Sequence, residues 1–350
     1  MEPIELGVNQ IHRFYRGGRS IAEFRGLRHQ DDLGPEDWVG SATAVFGSET
    51  LGVSRLTDGR TLRDAVVADP EGFLGPAHAE RFGAEIGLLV KLLDAGQRLP
   101  VHCHPNREFS RRHLDCPYGK TEAWVIVGVG STDPVVHLGF RHEVDPETLA
   151  EWVTRQDTEA LLQATNRLPV KIGDSVLVPA GIPHAIGEGV FLVELQEPTD
   201  LSVLLEWDGF DIDGALDGHL GLGFDVALAC VDASGWGGRQ VDRLRGPRRG
   251  PAGARPGVEI LFPTEADPFF RAERIRPPGS TPLPPSFSIL VITAGSGTLR
   301  WASAGREVAR GDTLLIPFAA GTCELSGAVE AVRCLPPDPT APDASVPAFR

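Results

Sequence analysis

Apolar and polar positions along the chain alternate mostly with the period of a β-strand, and helical spacing surfaces only in short stretches. Gly87–Ala95 is an apolar run interrupted only by Lys91, the pattern of a strand buried on both faces. Lys91 then either sits at an edge or turns its charge into a pocket. Trp124–Val129 and Val135–Phe140 predict two strands paired around the turn Gly130-Ser131-Thr132-Asp133, and Val170–Pro179 and Val190–Gln196 predict two more. Helical spacing predicts one helix over Thr61–Gly75, ending at Gly75, with residues 76–85 a loop or irregular helix. Over Pro146–Asn166, the positions of Leu149, Trp152, Val153, Leu161 and Leu162 predict two short helices set among the strands. Residues 208–257 are rich in glycine and arginine. They read as a linker with one short helix around Phe224–Val231 and a basic loop at Arg243–Arg249. Strand-like pieces resume at Phe287–Val291, Gly297–Trp301 and Thr313–Pro317, and the proline-rich stretch 336–350 reads as a surface or disordered tail.

A length of 350 residues points to two cores of ordinary size. The formal net charge of −15 excludes a general nucleic-acid or anionic-membrane partner, because the long-range field repels polyanions. No apolar run approaches the roughly 20 residues that span a bilayer, and MEPIELGVNQ lacks a basic-then-apolar signal pattern, so a cytoplasmic location is expected. The five scattered cysteines, without a CxxC pair, read as reduced thiols. Lys91, Lys120 and Lys171 are the only lysines, so an anionic substrate would need a locally built basic pocket.

The candidate chemistry concentrates in Gly96–Glu122 and Val178–Ile186. His102 and His104, two apart on an extended segment, project from one face while Cys103 points the other way. Gly173-x5-Pro179-x-Gly181-x2-His184 adds a third histidine behind a turn. Spacing leaves two candidates for a carboxylate ligand, Glu108 and Glu122. Such a set suits Zn²⁺, Fe²⁺ or Mn²⁺.

The two halves resemble the paired motifs of the cupin superfamily. More narrowly, LLVKLLDAGQRLPVHCHP (Leu88–Pro105), YGKTEAWVIV (Tyr118–Val127) and LPVKIGDSVLVPAGIPHAIG (Leu168–Gly187) together are similar to the class I mannose-6-phosphate isomerases. That resemblance implies a mainly β bicupin of two jelly-roll barrels. The first barrel would span 1–207, with a helical insertion at about 145–166. A linker would follow over 208–257, then a degenerate second barrel over 258–335. Gly311-x5-Pro317 repeats the second half-motif there, with Thr322 at the histidine position, and no histidine follows His219.

The resemblance also implies zinc held by His102, His104, Glu122 and His184, with Glu108 on an exposed loop. Glu194 corresponds to an acidic residue lining that family's pocket, and Lys120, two before Glu122 on an extended strand, would share its face, so both are candidate catalytic residues. Lys91, in a motif strand, and Arg111 and Arg112, in the polar loop Pro105–Tyr118, are candidate substrate-binding cations. The implied reaction interconverts mannose 6-phosphate and fructose 6-phosphate by moving a proton between C1 and C2. Two departures stand out: His102 replaces a glutamine ligand, and Leu204 occupies the place of an arginine implicated in catalysis. A leucine supplies none of a guanidinium's donors. Another, unphosphorylated sugar, a different metal-dependent cupin reaction, or a sugar-binding protein without turnover therefore remain as alternatives.

Overall fold

A computed structural model describes residues 1–247 and 255–342. The molecule is mainly β, with three antiparallel sheets in a bicupin arrangement. One six-stranded sheet runs in the order Gln10–Ile11, Glu36–Val39, Leu89–Asp94, Val190–Gln196, Glu122–Val129 and Ser175–Val178. A five-stranded sheet runs in the order Val203–Leu204, His102–Cys103, His184–Ile186, Val135–Phe140 and Thr165–Pro169. Cross-strand neighbours in an antiparallel sheet share a face. The register Trp38–Lys91–Glu194–Trp124 therefore lines up four side chains on one side of the six-stranded sheet.

The strands Glu122–Val129 and Val135–Phe140 do not pair with each other, contrary to the hairpin expected from sequence. The first lies between Val190–Gln196 and Ser175–Val178, the second between His184–Ile186 and Thr165–Pro169, so the turn crosses from one sheet to the other. Both are apolar along most of their length, and a strand buried on both faces carries no alternation that names its neighbour.

Capping explains the other local differences. The helix expected over Thr61–Gly75 is two, Leu62–Ala68 and Pro70–Leu74. Pro70 has no N–H to continue the first, and the Asp69 side chain accepts from Gly72 N to start the second. A third helix, Pro76–Phe82, fills the stretch read as irregular. Within the presumed loop 105–118, Asn106 accepts from Phe109 N at 2.9 Å and opens a helix, Arg107–His113, that buries Phe109 and Ser110. Glu108 is thus on an exposed helix face, not on a loop. The inserted pair, Pro146–Arg155 and Thr158–Ala164, is capped by Asp145 and Asp157.

The stretch read as a linker is packed. It holds helices Gly214–Asp217, Phe224–Ala227 and Gly238–Arg243, and it places Trp236, Val241 and Leu244 in the main apolar core. Trp236 is 3% exposed, with its backbone N–H donated to Phe140 O at 2.7 Å. Trp236→Ala is expected to cost about 3–5 kcal/mol in denaturant unfolding, as for other large core truncations. A solvated linker residue would change stability by no more than about 0.5 kcal/mol, and that result would refute the packing role. Of the basic loop, Arg248 and Arg249 lie outside the described residues, while Arg245 donates to Pro169 O at 2.8 Å.

The C-terminal unit is one eight-stranded sheet. Phe287–Val291 and Gly297–Trp301 are not separate strands but parts of Ser288–Trp301, which bends at an irregularity between Ile292 and Ala294. The chain's start also belongs to this sheet, a departure from the 1–207 boundary. Ile4–Glu5 pairs with Thr313–Ile316, and Arg25 Nη1 donates to Thr313 Oγ1 at 2.6 Å. Phe262, Phe270, Ile289 and Val332 continue the core of the N-terminal unit, so one apolar cluster joins the two. Part of the expected tail is ordered: Asp338 N donates to Asp267 O at 2.9 Å, and residues 343–350 lie outside the described residues.

Candidate metal centre

The five-stranded sheet brings three imidazoles together. His184 stands opposite His102 in register, and His104 follows two residues after His102. Ring centroids are 4.2 Å apart for His102–His184, 4.9 Å for His104–His184 and 5.0 Å for His102–His104. One ligand atom from each lies within 4.8 Å of the others. Each Nδ1 is 2.8 Å from a backbone carbonyl: Pro100 O for His102, Leu201 O for His104 and Ile182 O for His184. A carbonyl only accepts, so each Nδ1 carries the proton and each Nε2 keeps its lone pair. Backbone carbonyls fix the tautomer and aim of metal-binding imidazoles in the same way.

The carboxylate comes from the six-stranded sheet. Glu122 Oε2 is 2.9 Å from His104 Nε2, and Oε1 is 3.3 Å from His184 Nε2. Trp124 Nε1 donates to Oε1 at 3.0 Å and orients the group. His184 Nε2 and Glu122 Oε2 are buried without a hydrogen bond among the described residues. The Lys120 ammonium stands 3.1 Å from that Oε2, but the His184 lone pair has no such partner among the described residues, and a buried lone pair is costly unless a cation sits there.

The protonation states agree with that reading. Burial, then the imidazoles of His184 and His104, holds His102 well below its ordinary value. Burial and the Lys120 ammonium lower His104 to about 3. Burial would raise Glu122, but Lys120, His104 and His184 hold it well below the usual carboxylate range. Lowered imidazoles at His102 and His104 and an ionised Glu122 are the donor states that a divalent metal needs, and with His184 beside them these residues fit one. Glu108, about two-thirds exposed and paired with Arg112, faces elsewhere.

A cavity of about 210 Å³ opens beside these residues, and Lys91, Lys120 and Glu194 stand in its wall. Lys120 is buried, with Nζ 2.9 Å from His104 Nε2 and 3.1 Å from Glu122 Oε2. Lys91 is buried between two carboxylates, 3.2 Å from Glu36 Oε2 and 3.3 Å from Glu194 Oε2. Burial works against its charge, yet Glu36 and Glu194 raise it to about 12. Leu204 also lines the cavity, paired across the sheet with His102.

The structure does not bring Arg111 and Arg112 to the cavity. They sit on the exposed side of the helix Arg107–His113, whose buried face is spent on Phe109 and Ser110. The arginine in the wall is Arg13. It makes a two-pronged contact with Asp200 at 3.0 and 2.6 Å and donates to Glu36 Oε1 at 3.0 Å. Sequence reading missed Arg13, Tyr15, Glu36 and Asp200. Alternation over Arg13-Phe14-Tyr15 was the one local signal, whereas Asp200 lies 187 residues away from its partner.

Two carboxylates facing Lys91 settle unequally. Burial opposes charge on Glu36, but Arg13, Lys91 and hydrogen bonds from Tyr15 OH at 2.5 Å and Trp38 Nε1 at 2.7 Å hold it well below its ordinary value. Glu194, with burial and nearby Glu122 against ionisation and less help from Lys91, is pushed up to about 7. A raised carboxyl gives the fold stability that is present at low pH and lost as pH rises through the folded value. The metal-free protein should therefore lose thermal stability between about pH 4.5 and 7, and Glu194→Gln should flatten that slope. An identical slope in the variant would assign it to other groups.

No protein-family model matches the chain. Among curated proteins, it is 29% identical over 315 residues to mannose-6-phosphate isomerase ManA of Bacillus subtilis, covering 84% of this chain and 94% of that one. The crystal structure of mannose 6-phosphate isomerase from Bacillus subtilis superposes with a TM-score of 0.76 at 21% identity, covering 95% of this chain and 99% of that one. A mannose 6-phosphate isomerase bound with zinc and yttrium superposes with a TM-score of 0.71 at 17% identity, covering 97% and 100% of the two chains. With a near-complete span on both sides and a histidine–carboxylate cluster set in the same two-barrel fold, the chain is similar over almost its whole length to mannose-6-phosphate isomerases.

Proposed function

We propose that the protein is a zinc-dependent aldose–ketose isomerase that interconverts mannose 6-phosphate and fructose 6-phosphate. The observation that carries this reading is the convergence of three Nε2 lone pairs and the Glu122 carboxylate on one point, beside a cavity walled by Lys120 and Glu194. Zinc in that position would polarise the substrate oxygens at which negative charge develops.

The chain's own residues supply the rest. Lys120 presents an ammonium where the donors converge, able to stabilise an oxyanion or hand on a proton. Glu194 holds its proton up to about pH 7, so it can both take and return one within the working range. Lys91, itself held by Glu36, fixes the Glu194 carboxyl in place from the adjacent strand. Arg13, in the same wall, is the guanidinium nearest to making up for Leu204. Glu122 lies one strand over, held by Trp124.

One observation favours an unphosphorylated sugar as a second reading. Every cation in the cavity wall already faces an acid: Arg13 faces Asp200 and Glu36, Lys91 faces Glu36 and Glu194, and Lys120 faces Glu122. A phosphate dianion would have to compete with those pairs. Steady-state assays of the metal-loaded enzyme on mannose 6-phosphate, fructose 6-phosphate, mannose and fructose decide between the two. Turnover of the phosphorylated pair is expected; turnover confined to free sugars would transfer the assignment to the second reading, and none on any of the four would refute both.

A further inference from the structure

A second cavity, of about 590 Å³, lies between the helices Pro70–Leu74 and Pro76–Phe82 and the sheet of the C-terminal unit. Three guanidiniums line it, Arg255, Arg271 and Arg333, against two carboxylates, Glu273 and Asp338. In a chain of net charge −15 this is a local reversal of sign.

The pairing in this cavity is incomplete. Arg333, on the strand Cys323–Leu335, is 2% exposed. Its Nε donates to Ser288 Oγ at 3.0 Å and its Nη2 to Pro284 O at 2.7 Å. Among the described residues its Nη1 meets only Glu273 Oε2, at 3.7 Å. Glu273 gives its other oxygen to Arg255, and Oε2 is buried with no hydrogen bond among the described residues. Arg271 Nη1 stands 3.6 Å from Asp338 Oδ2. Arg271 Nε donates to Pro336 O at 3.2 Å, but both Nη1 separations exceed hydrogen-bonding distance, so among the described residues each fork keeps a free Nη1 donor and one carboxylate oxygen keeps free lone pairs. Burial lowers Arg333 to about 10. Holding a cation there is costly while its counterion stays out of contact.

We infer that this cavity binds a small polyhydroxylated oxyanion, with its phosphate or carboxylate between Arg333 and Arg271 and a hydroxyl donated to Glu273 Oε2. Planar guanidinium forks suit either anion, since each offers two oxygens at the spacing of paired N–H groups. The cavity is much larger than the one at the metal centre, which suits an organic anion better than a bare ion. Phe318, Leu335 and the prolines of the wall would cover its carbon skeleton.

Isothermal titration of the full-length, metal-loaded protein with glucitol 6-phosphate, gluconate and glucose tests the assignment and identifies which anion is preferred. At least one of the two anions should bind, and uncharged glucose should not bind at this site. Arg271→Ala, at a partly exposed position, should weaken binding at least 10-fold. Arg333→Met should abolish it. Both variants should keep the wild-type KM for the isomerase substrate, which separates this cavity from the metal centre. If Arg333→Met fails to fold, Arg271→Ala carries the test alone. Absence of binding by both anions, or unchanged affinity in Arg271→Ala, overturns the proposal. Because the readout is binding, the result stands whatever the isomerase assay shows.

Discussion

His184→Ala should purify without stoichiometric metal and without measurable isomerase activity. His184 is one of three imidazoles around a single point, and its Nε2 is one of the two buried atoms there that lack a hydrogen bond. The substitution takes away one of four protein donors and leaves two imidazoles and Glu122 around a widened gap. The lost Lewis-acid stabilisation amounts to several kcal/mol. At 1.36 kcal/mol per tenfold in rate, that corresponds to roughly 10³–10⁵ in kcat. Elemental analysis should accompany the assay, together with a thermal melt, since His184 also anchors the strand His184–Ile186 through its Nδ1 bond to Ile182 O. A variant that folds and keeps one zinc per chain would refute the centre.

Lys120→Ala should show the opposite partition, with metal retained and kcat lowered on the order of 10²–10³, the size expected for one preorganised donor or proton-transfer group. The ammonium is buried and lies within 3.1 Å of Glu122 Oε2 and 2.9 Å of His104 Nε2. Removing a positive charge from beside two of the proposed ligands should not weaken their hold on a cation. A loss of metal together with activity would make Lys120 a structural residue. Lys120→Arg should rescue poorly, because a planar fork cannot occupy the place of a compact ammonium in a fully enclosed wall.

The common direction of His102 and His104 was legible because a two-residue spacing on a strand has one geometric meaning. His184 was legible because glycine and proline mark the turn that delivers it. Partner choice across the sheets was not. Nothing local to Lys91 says that Glu36, 55 positions earlier, will be its neighbour on one side and Glu194 on the other. The strand Leu89–Asp94 is buried along its whole length, so the reading between an edge lysine and a pocket lysine had no alternation to decide it. The same uniform burial hid the sheet crossing between Glu122–Val129 and Val135–Phe140. Arg111 and Arg112 misled for a different reason: the cap at Asn106 turns that segment into a helix, and a helix sends its residues to different sides. The segment 208–247 looked like a linker because its glycine content masks a few anchoring aromatics, Trp236 above all.

The pairing of Ile4–Glu5 with Thr313–Ile316 bears on how the chain reaches its native state during synthesis. The strand Ile4–Glu5 finds its partner only after about 310 further residues have been made. The N-terminal barrel can complete its own two sheets much earlier, since every strand in them lies before residue 205. The leading segment must then wait, with its backbone donors unpaired, while the C-terminal sheet is translated. Closing so long a loop is slow, because its entropy is spent before the contact rewards it. The last native contact to form is thus expected to join two segments made about 310 residues apart, and a growing protein stalled before residue 313 would carry a folded histidine cluster alongside an unpaired Ile4–Glu5.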